Sequence, residues 1–275
     1  MERLQERLLS AAAGRQLVCE IDNCDLATFA SIAAGFGTDR YGYVVTPNAD
    51  HLLRLHDDSS FRELYAEAEY VLLDSRFLSH IVRVTKGMRL PVCTGSDLTE
   101  RLFSQVITPD DGLVVIGGSD AQARDLARRY GLRHLAHYNP AMGFIHDPAA
   151  VESCLCFVEA HSPFRFCFLA VGAPQQEVLA RQLKIRGRAR GLALCIGASI
   201  NFITGREHRA PRWMQRSGLE WLYRLIQAPN RMARRYLLRG PRIFALLRHA
   251  EIRLRQPLAL SRRFQPGVAT PAILK

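Results

Sequence analysis

The segment AEYVLLDSRF runs apolar through Leu73 and then places Asp74 where the run ends. A carboxylate in that position acts as a general base when a substrate hydroxyl comes within hydrogen-bonding reach. It equally suits the N-cap of the following SRFLSHIVR, so the residue type leaves base and cap as alternatives. Thr46 and Asn48 stand in the same relation to YGYVV and the helix-period segment that follows. Their side chains either cap that helix or hold a ligand's hydroxyls and phosphate at its N-terminus. In DGLVVIGGSDAQARDLARRYG, Gly117 and Gly118 let a backbone approach a phosphate, although the full GxGxxG spacing is missing. FLAVGAPQQEVLA repeats the scheme: Pro174 fits a first helical turn, and Gln175, Gln176 and Glu177 are either a helix start or a ligand grip.

Other chemistries find no support. GxSxG, Walker A and Cys–His nucleophile signatures are absent. The seven cysteines lie mostly in apolar runs and form no CxxC pair, as expected of reduced, buried thiols in the cytosol. The nine histidines show no HExxH spacing, and neither a metal nor another cofactor is expected.

The elements that must position these residues follow a simple alternation. QLVCEID, YGYVVTPN, AEYVLLD, DGLVVIGG, FRFCFLAVG and GLALCIGAS are strand candidates. Helix-period segments fall between them, near 25–35, 49–67, 76–86, 96–106, 119–130, 148–161 and 174–186. Strands that are apolar throughout, separated by helices, predict an α/β, Rossmann-like, mostly parallel sheet covered on both faces. Ligands gather beyond the carboxyl ends of such strands, where every candidate above falls. The pattern predicts one α/β domain over 1–204, a helical appendage over 205–256 and a flexible tail over 257–275.

Charge separates the same regions. The chain carries a formal +11, yet residues 206–263 hold fifteen arginines, no lysine and three glutamates, a local balance of +12. The appendage therefore calls for an anionic partner, because a charge serving solubility alone would be spread over the surface. In GLEWLYRLIQAPNRMARRY, Leu219, Leu222, Tyr223 and Ile226 form a stripe expected to pack inward. Arg224, Arg231 and Arg235 recur at steps of seven and four, with Arg234 beside them. Arginine without lysine favours phosphate recognition, since the planar guanidinium takes phosphate oxygens in pairs; a solvated helix face is the alternative. Trp213 and Trp221 suit either a membrane interface or a core. A nucleic-acid partner is not expected, because no recognised nucleic-acid-binding fold precedes the arm. No apolar stretch approaches the roughly 20 residues that span a bilayer, and the start lacks a signal peptide's basic-then-apolar order.

Taken in chain order, TPNAD, LLDSR, TGSDL, VVIGGS, NPAMGF, VGAPQQE, IGASINFITG and HRAPRWMQRSGLEWLYRLIQAPNRMARRYL resemble the bacterial WecG/TagA/CpsF family of glycosyltransferases over about residues 15–240. The resemblance implies inverting transfer of a sugar from a UDP-sugar donor to a polyprenyl-diphosphate-linked saccharide, with no obligatory metal, in surface polysaccharide assembly. It implies a cytoplasmic protein held peripherally on the inner face of an anionic plasma membrane, and it leaves self-association open. On its motifs Thr46, Asn48 and Gln176 line the donor pocket, with Gly117, Gly118 and Asn201 as further donor candidates. Asp74 matches the family's base, and Arg224, Arg231 and Arg234 match arginines that close the site and meet the lipid diphosphate. The family usually has Asp-Gly where this chain has Asp74-Ser75, and an aspartate where it has Asn201, so loop freedom and donor contacts are expected to differ.

Overall fold

Residues 17–227, 229 and 240–257 are described by the computed structural model, so Arg231, Arg234 and Arg235 lie outside the described residues. Strand β1 (Val18–Asp22) leads through α1 (Leu26–Ala34) into β2 (Tyr41–Val45), and α2 (Ala49–Asp57) and α3 (Ser59–Ala66) carry the chain to the short β3 (Tyr70–Val71). There follow α4 (Arg76–Lys86), α5 (Gly95–Gln105), β4 (Gly112–Ile116), α6 (Asp120–Tyr130), β5 (His134–Tyr138) and α7 (Pro148–Ala160). Then come β6 (Phe166–Leu169), α8 (Gln175–Arg186), β7 (Gly191–Cys195), and the short α9 (Ser199–Ile203) and α10 (Arg212–Arg216). The described chain ends with α11 (Glu220–Gln227), α12 (Arg242–His249) and β8 (Glu251–Arg255).

Six strands form a parallel sheet in the order β3-β2-β7-β6-β4-β5, with helices between them in sequence, so the fold is α/β as the alternation predicts. All six carboxyl ends lie along one edge. The inner strands read as unbroken apolar runs because alternate side chains feed two cores. Val114, Ile116, Cys167, Leu169, Ala193 and Cys195 enter one, while Leu113, Val115, Phe166, Phe168, Leu192 and Leu194 enter the other. Six of the seven cysteines are buried free thiols, and Cys156 is exposed.

Two strands were missed. β5 is an edge strand, half-buried and holding two histidines, so it lacks the apolar run that marks its neighbours. β8 overturns the expectation of helix up to residue 256: Glu251–Arg255 pairs in parallel with β1, from Val18 opposite Glu251 to Asp22 opposite Arg255. Its sequence, EIRLR, alternates polar with apolar as a half-buried strand should, and Ile252 is buried. β1, expected in the main sheet, instead makes a two-stranded sheet with β8. The Asp22 carboxylate bridges the two sheets by accepting the Val71 N–H at 2.6 Å.

The start of β7 shows how tightly the sheet is packed. Gly191 has φ +122°, and a Cβ there would stand 1.9 Å from the Phe164 carbonyl oxygen. Gly191→Ala is therefore expected to destabilise the fold by about 3 kcal/mol or more. Urea denaturation measures this, and an unchanged midpoint would contradict the placement.

Candidate active site

The C-terminal segment does not trail away from the sheet edge. It roofs a cavity of about 320 Å³. The floor is made by helix starts: Asn48, Ala49 and Asp50 of α2, Ser75, Arg76 and Phe77 of α4, and Thr94 and Ser96 of α5. The roof is Gly218, Glu220, Trp221 and Arg224 on one side and Gly240, Pro241, Ile243 and Phe244 on the other. Three helix N-termini facing one space make a positive field suited to an anion. Leu53, Phe77, Trp221, Ile243 and Phe244 make the rest of the wall apolar.

Asp74 faces this space, half-buried just past β3. Its backbone N–H donates to the Pro47 carbonyl at 2.8 Å, and its Oδ1 accepts the Gly95 N–H at 3.1 Å. Burial pushes its carboxyl up to about 7, against the pull of the Arg224 guanidinium and the Gly95 N–H; the Glu220 and Asp97 carboxylates add to the rise. The cap alternative does not hold for Asp74, because Ser75 caps α4 by accepting the Leu78 N–H at 3.1 Å. Ser75 has φ −162°, ordinary extended backbone, so the missing glycine changes nothing in the loop's conformation.

Arg224 reaches the site from α11 with its guanidinium 5.4 Å from the Phe202 ring centroid. The helix carrying it is docked by a cluster of four charged groups that sequence reasoning did not assign. Asp97 pairs with Arg76 at 2.5 Å and Arg209 at 2.7 Å, and Glu220 stands 3.4 Å from Arg76 and 3.6 Å from Arg209. Burial works against the Asp97 carboxylate, yet Arg209 and Arg76 hold it below its ordinary range. The blocks TGSDL and HRAPRW contain two members of this cluster, and only the fold shows that they meet.

The inward stripe expected on this helix holds in part: Leu219, Leu222 and Tyr223 are half-buried, and Ile226 is not. Ile226 is 69% exposed, whereas Glu220, Trp221 and Arg224 line the cavity. This helix lies over a cavity and not over a closed core, and its members that face the cavity are Glu220, Trp221 and Arg224. Trp221 stands 6.2 Å from Phe77, ring to ring, while Trp213 is exposed.

The remaining candidates lie elsewhere. Thr46 is buried and donates to the Cys195 carbonyl at 2.9 Å, outside the cavity lining. Asn48 caps α2 by accepting the Asp50 N–H at 3.1 Å and also lines the cavity. Gly117 and Gly118 follow β4, Gln176 follows β6 and Asn201 follows β7, along the carboxyl edge of three adjacent strands. Gln176 is buried, donating to Glu177 Oε1 at 2.8 Å and accepting the Gly197 N–H at 2.9 Å. Asn201 accepts from Gln122 Nε2 at 2.8 Å and donates to Glu207 Oε1 at 3.2 Å. The structure thus brings Asn48, Asp74 and Arg224 to one cavity and leaves Thr46, Gly117, Gly118, Gln176 and Asn201 off its lining.

An open parallel α/β sheet that sets a raised carboxyl and an arginine beside helix N-termini is arranged to suit an anionic ligand. The family model described as "Glycosyl transferase WecG/TagA/CpsF family" matches residues 15–257, and the chain belongs to that family of glycosyltransferases. A solved structure described as a highly conserved domain of unknown function 1792 with a distinct glycosyltransferase fold is 12% identical, with a TM-score of 0.34 over 78% of this chain and 81% of its own. A likeness that small carries no argument. Among the described residues no helix is long and apolar enough to cross a membrane.

The raised carboxyl of Asp74 has a measurable consequence for stability. Its folded value near 7 lies above the ordinary 3.8, so the folded protein holds this proton more tightly. The associated stability is present below about pH 4 and is lost as pH rises through 7. Asp74→Asn, which keeps an oxygen for the Gly95 N–H, is expected to melt above the parent at about pH 9 by on the order of 2–4 kcal/mol of stability, the gap closing toward pH 4. Calorimetry across this range checks it; Glu177, raised by burial to about 7 as well, is common to both proteins and cancels.

Proposed function

We propose that this glycosyltransferase moves a sugar from a UDP-sugar to a polyprenyl-diphosphate-linked saccharide, inverting the anomeric carbon, with Asp74 as the base. The observation that carries the reading is the placement of Asp74: half-buried, raised to about 7, in a cavity shared with Arg224 and three helix N-termini. A carboxylate near neutrality takes the acceptor hydroxyl's proton as that oxygen bonds to C1 of the donor sugar. The C1–oxygen bond to UDP breaks on the opposite face, and UDP leaves with the bonding pair. Arg224 and the helix N-termini stabilise the negative charge gathering on diphosphate oxygens. Inversion needs one carboxylate and no covalent intermediate, in keeping with the raised carboxyl of Asp74 on the cavity wall.

The apolar wall suits the isoprenoid next to an acceptor diphosphate. Trp213, Ile226 and Phe244 are exposed large apolar residues on the cavity roof and the helix before it, in a region dominated by arginine. Such a surface favours peripheral attachment to an anionic bilayer, in line with a cytoplasmic enzyme of surface polysaccharide assembly.

Purified protein incubated with UDP-sugars and a short-chain polyprenyl-diphosphate saccharide is expected to release UDP. Asp74→Asn should reduce that release by about 100-fold or more, and kcat/KM of the parent should rise with pH through about 7 and then level, since the base works unprotonated. Release that survives Asp74→Asn sinks the assigned role, and no release with any donor favours a silent nucleotide-sugar-binding scaffold. Arg224→Ala is expected to lower turnover of the lipid acceptor at least about tenfold while changing UDP affinity less. Equal loss of both would count against an acceptor contact.

A further inference from the structure

The last strand is tied to the first by more than its backbone ladder. Asp22, 1% exposed at the end of β1, accepts from Arg255 Nε and Nη2 at 2.7 and 2.8 Å. The same carboxylate takes the Val71 N–H at 2.6 Å, and Arg255 Nη2 reaches the Glu69 carbonyl at 3.3 Å. One ion pair therefore joins β1, β8 and β3. β3 carries Asp74 three residues beyond Val71, and β8 continues α12 after a single buried residue, Ala250. The Ala250 N–H closes on the Leu246 carbonyl at 2.8 Å, which couples helix and strand. At its other end α12 presents Pro241, Ile243 and Phe244 to the cavity.

We propose that Asp22 and Arg255 are positioning residues for the Asp74 cavity, their ion pair fixing α12 against the strand that carries Asp74. The proposal rests on the reading of Asp74 as the base. Neither residue touches the cavity, so each acts through β8 and α12. A two-stranded ribbon is marginal by itself, and a slip of one residue would turn Ile252 out of the core and drag α12 along the cavity wall. The forked guanidinium–carboxylate contact admits a single register. Replacing such a pair by apolar groups is often harmless to stability, so the register it sets is its distinctive contribution.

The test compares full-length parent, Arg255→Lys, Arg255→Gln and the double variant Asp22→Asn with Arg255→Gln, which leaves no unpaired buried charge if the single variant fails to fold. Hydrogen exchange in 242–249 is expected to quicken about tenfold or more in the glutamine variants, with α8 unchanged. In parallel, kcat/KM for the lipid-diphosphate acceptor should fall about tenfold at unchanged UDP affinity, and Arg255→Lys should recover part of the loss. Exchange unchanged in α12, or rising equally in α8, overturns the proposal, as does a loosened α12 with undiminished kcat/KM. The exchange measurement needs no catalysis, and Asp74→Asn run alongside tests the base separately.

Discussion

A carboxylate kept largely out of water at the end of β3 sets the terms for everything around it. Burial alone favours its neutral form, and a permanently neutral acid cannot accept a proton. The Gly95 N–H and the Arg224 guanidinium pull the other way and leave it near 7. The balance requires that Asp74 not be consumed as a helix cap, and Ser75 takes that duty. It also requires that Arg224 be brought in from a distant part of the chain, which is the work of the arm.

The arm accomplishes this with two ionic anchors of different kinds. Near its start, Arg76 and Arg209 link Asp97 of α5 to Glu220 of α11, within reach of solvent. Near its end, Asp22 and Arg255 lock β8 to β1 in the interior. The first anchor is not electrically silent. Asp97 and Glu220 raise the Asp74 carboxyl while Arg224 lowers it, so docking the arm brings charges of both signs, Glu220 and Arg224, to Asp74 together. The four side chains of this anchor are partly buried, and the geometry of their contacts sets the register of α11.

Much of this was legible in the sequence, for identifiable reasons. Strands buried on both faces announce themselves as apolar runs, which is why β2, β4, β6 and β7 were found, and a polar residue closing a run at Asp74 marked the working edge. β5 escaped because an edge strand needs no such run. β8 escaped because EIRLR is five residues long, sits in an arginine-rich stretch, and pairs with β1 at the other end of the chain. The buried stripe on α11 failed at Ile226 for a related reason: periodicity tells which residues share a face, and only the fold tells whether that face meets a core or a cavity. The four-charge cluster was out of reach, since Arg76 and Arg209 stand far apart in the chain and neither has a local partner that marks it.

The same contrast bears on Asn201, where the resemblance leads one to expect an aspartate. Its amide nitrogen donates to Glu207 Oε1 at 3.2 Å, and its oxygen accepts from Gln122, whose own oxygen takes the Ser119 N–H at 2.9 Å. Each amide in this chain of contacts gives in one direction and receives in the other, which fixes the orientation of all of them. An aspartate at 201 would offer Glu207 no donor, and the 3.2 Å amide contact would be lost. The amide at 201 is therefore matched to a glutamate six residues on. Position 201 thus reaches the sheet's carboxyl edge through the loop it holds in place.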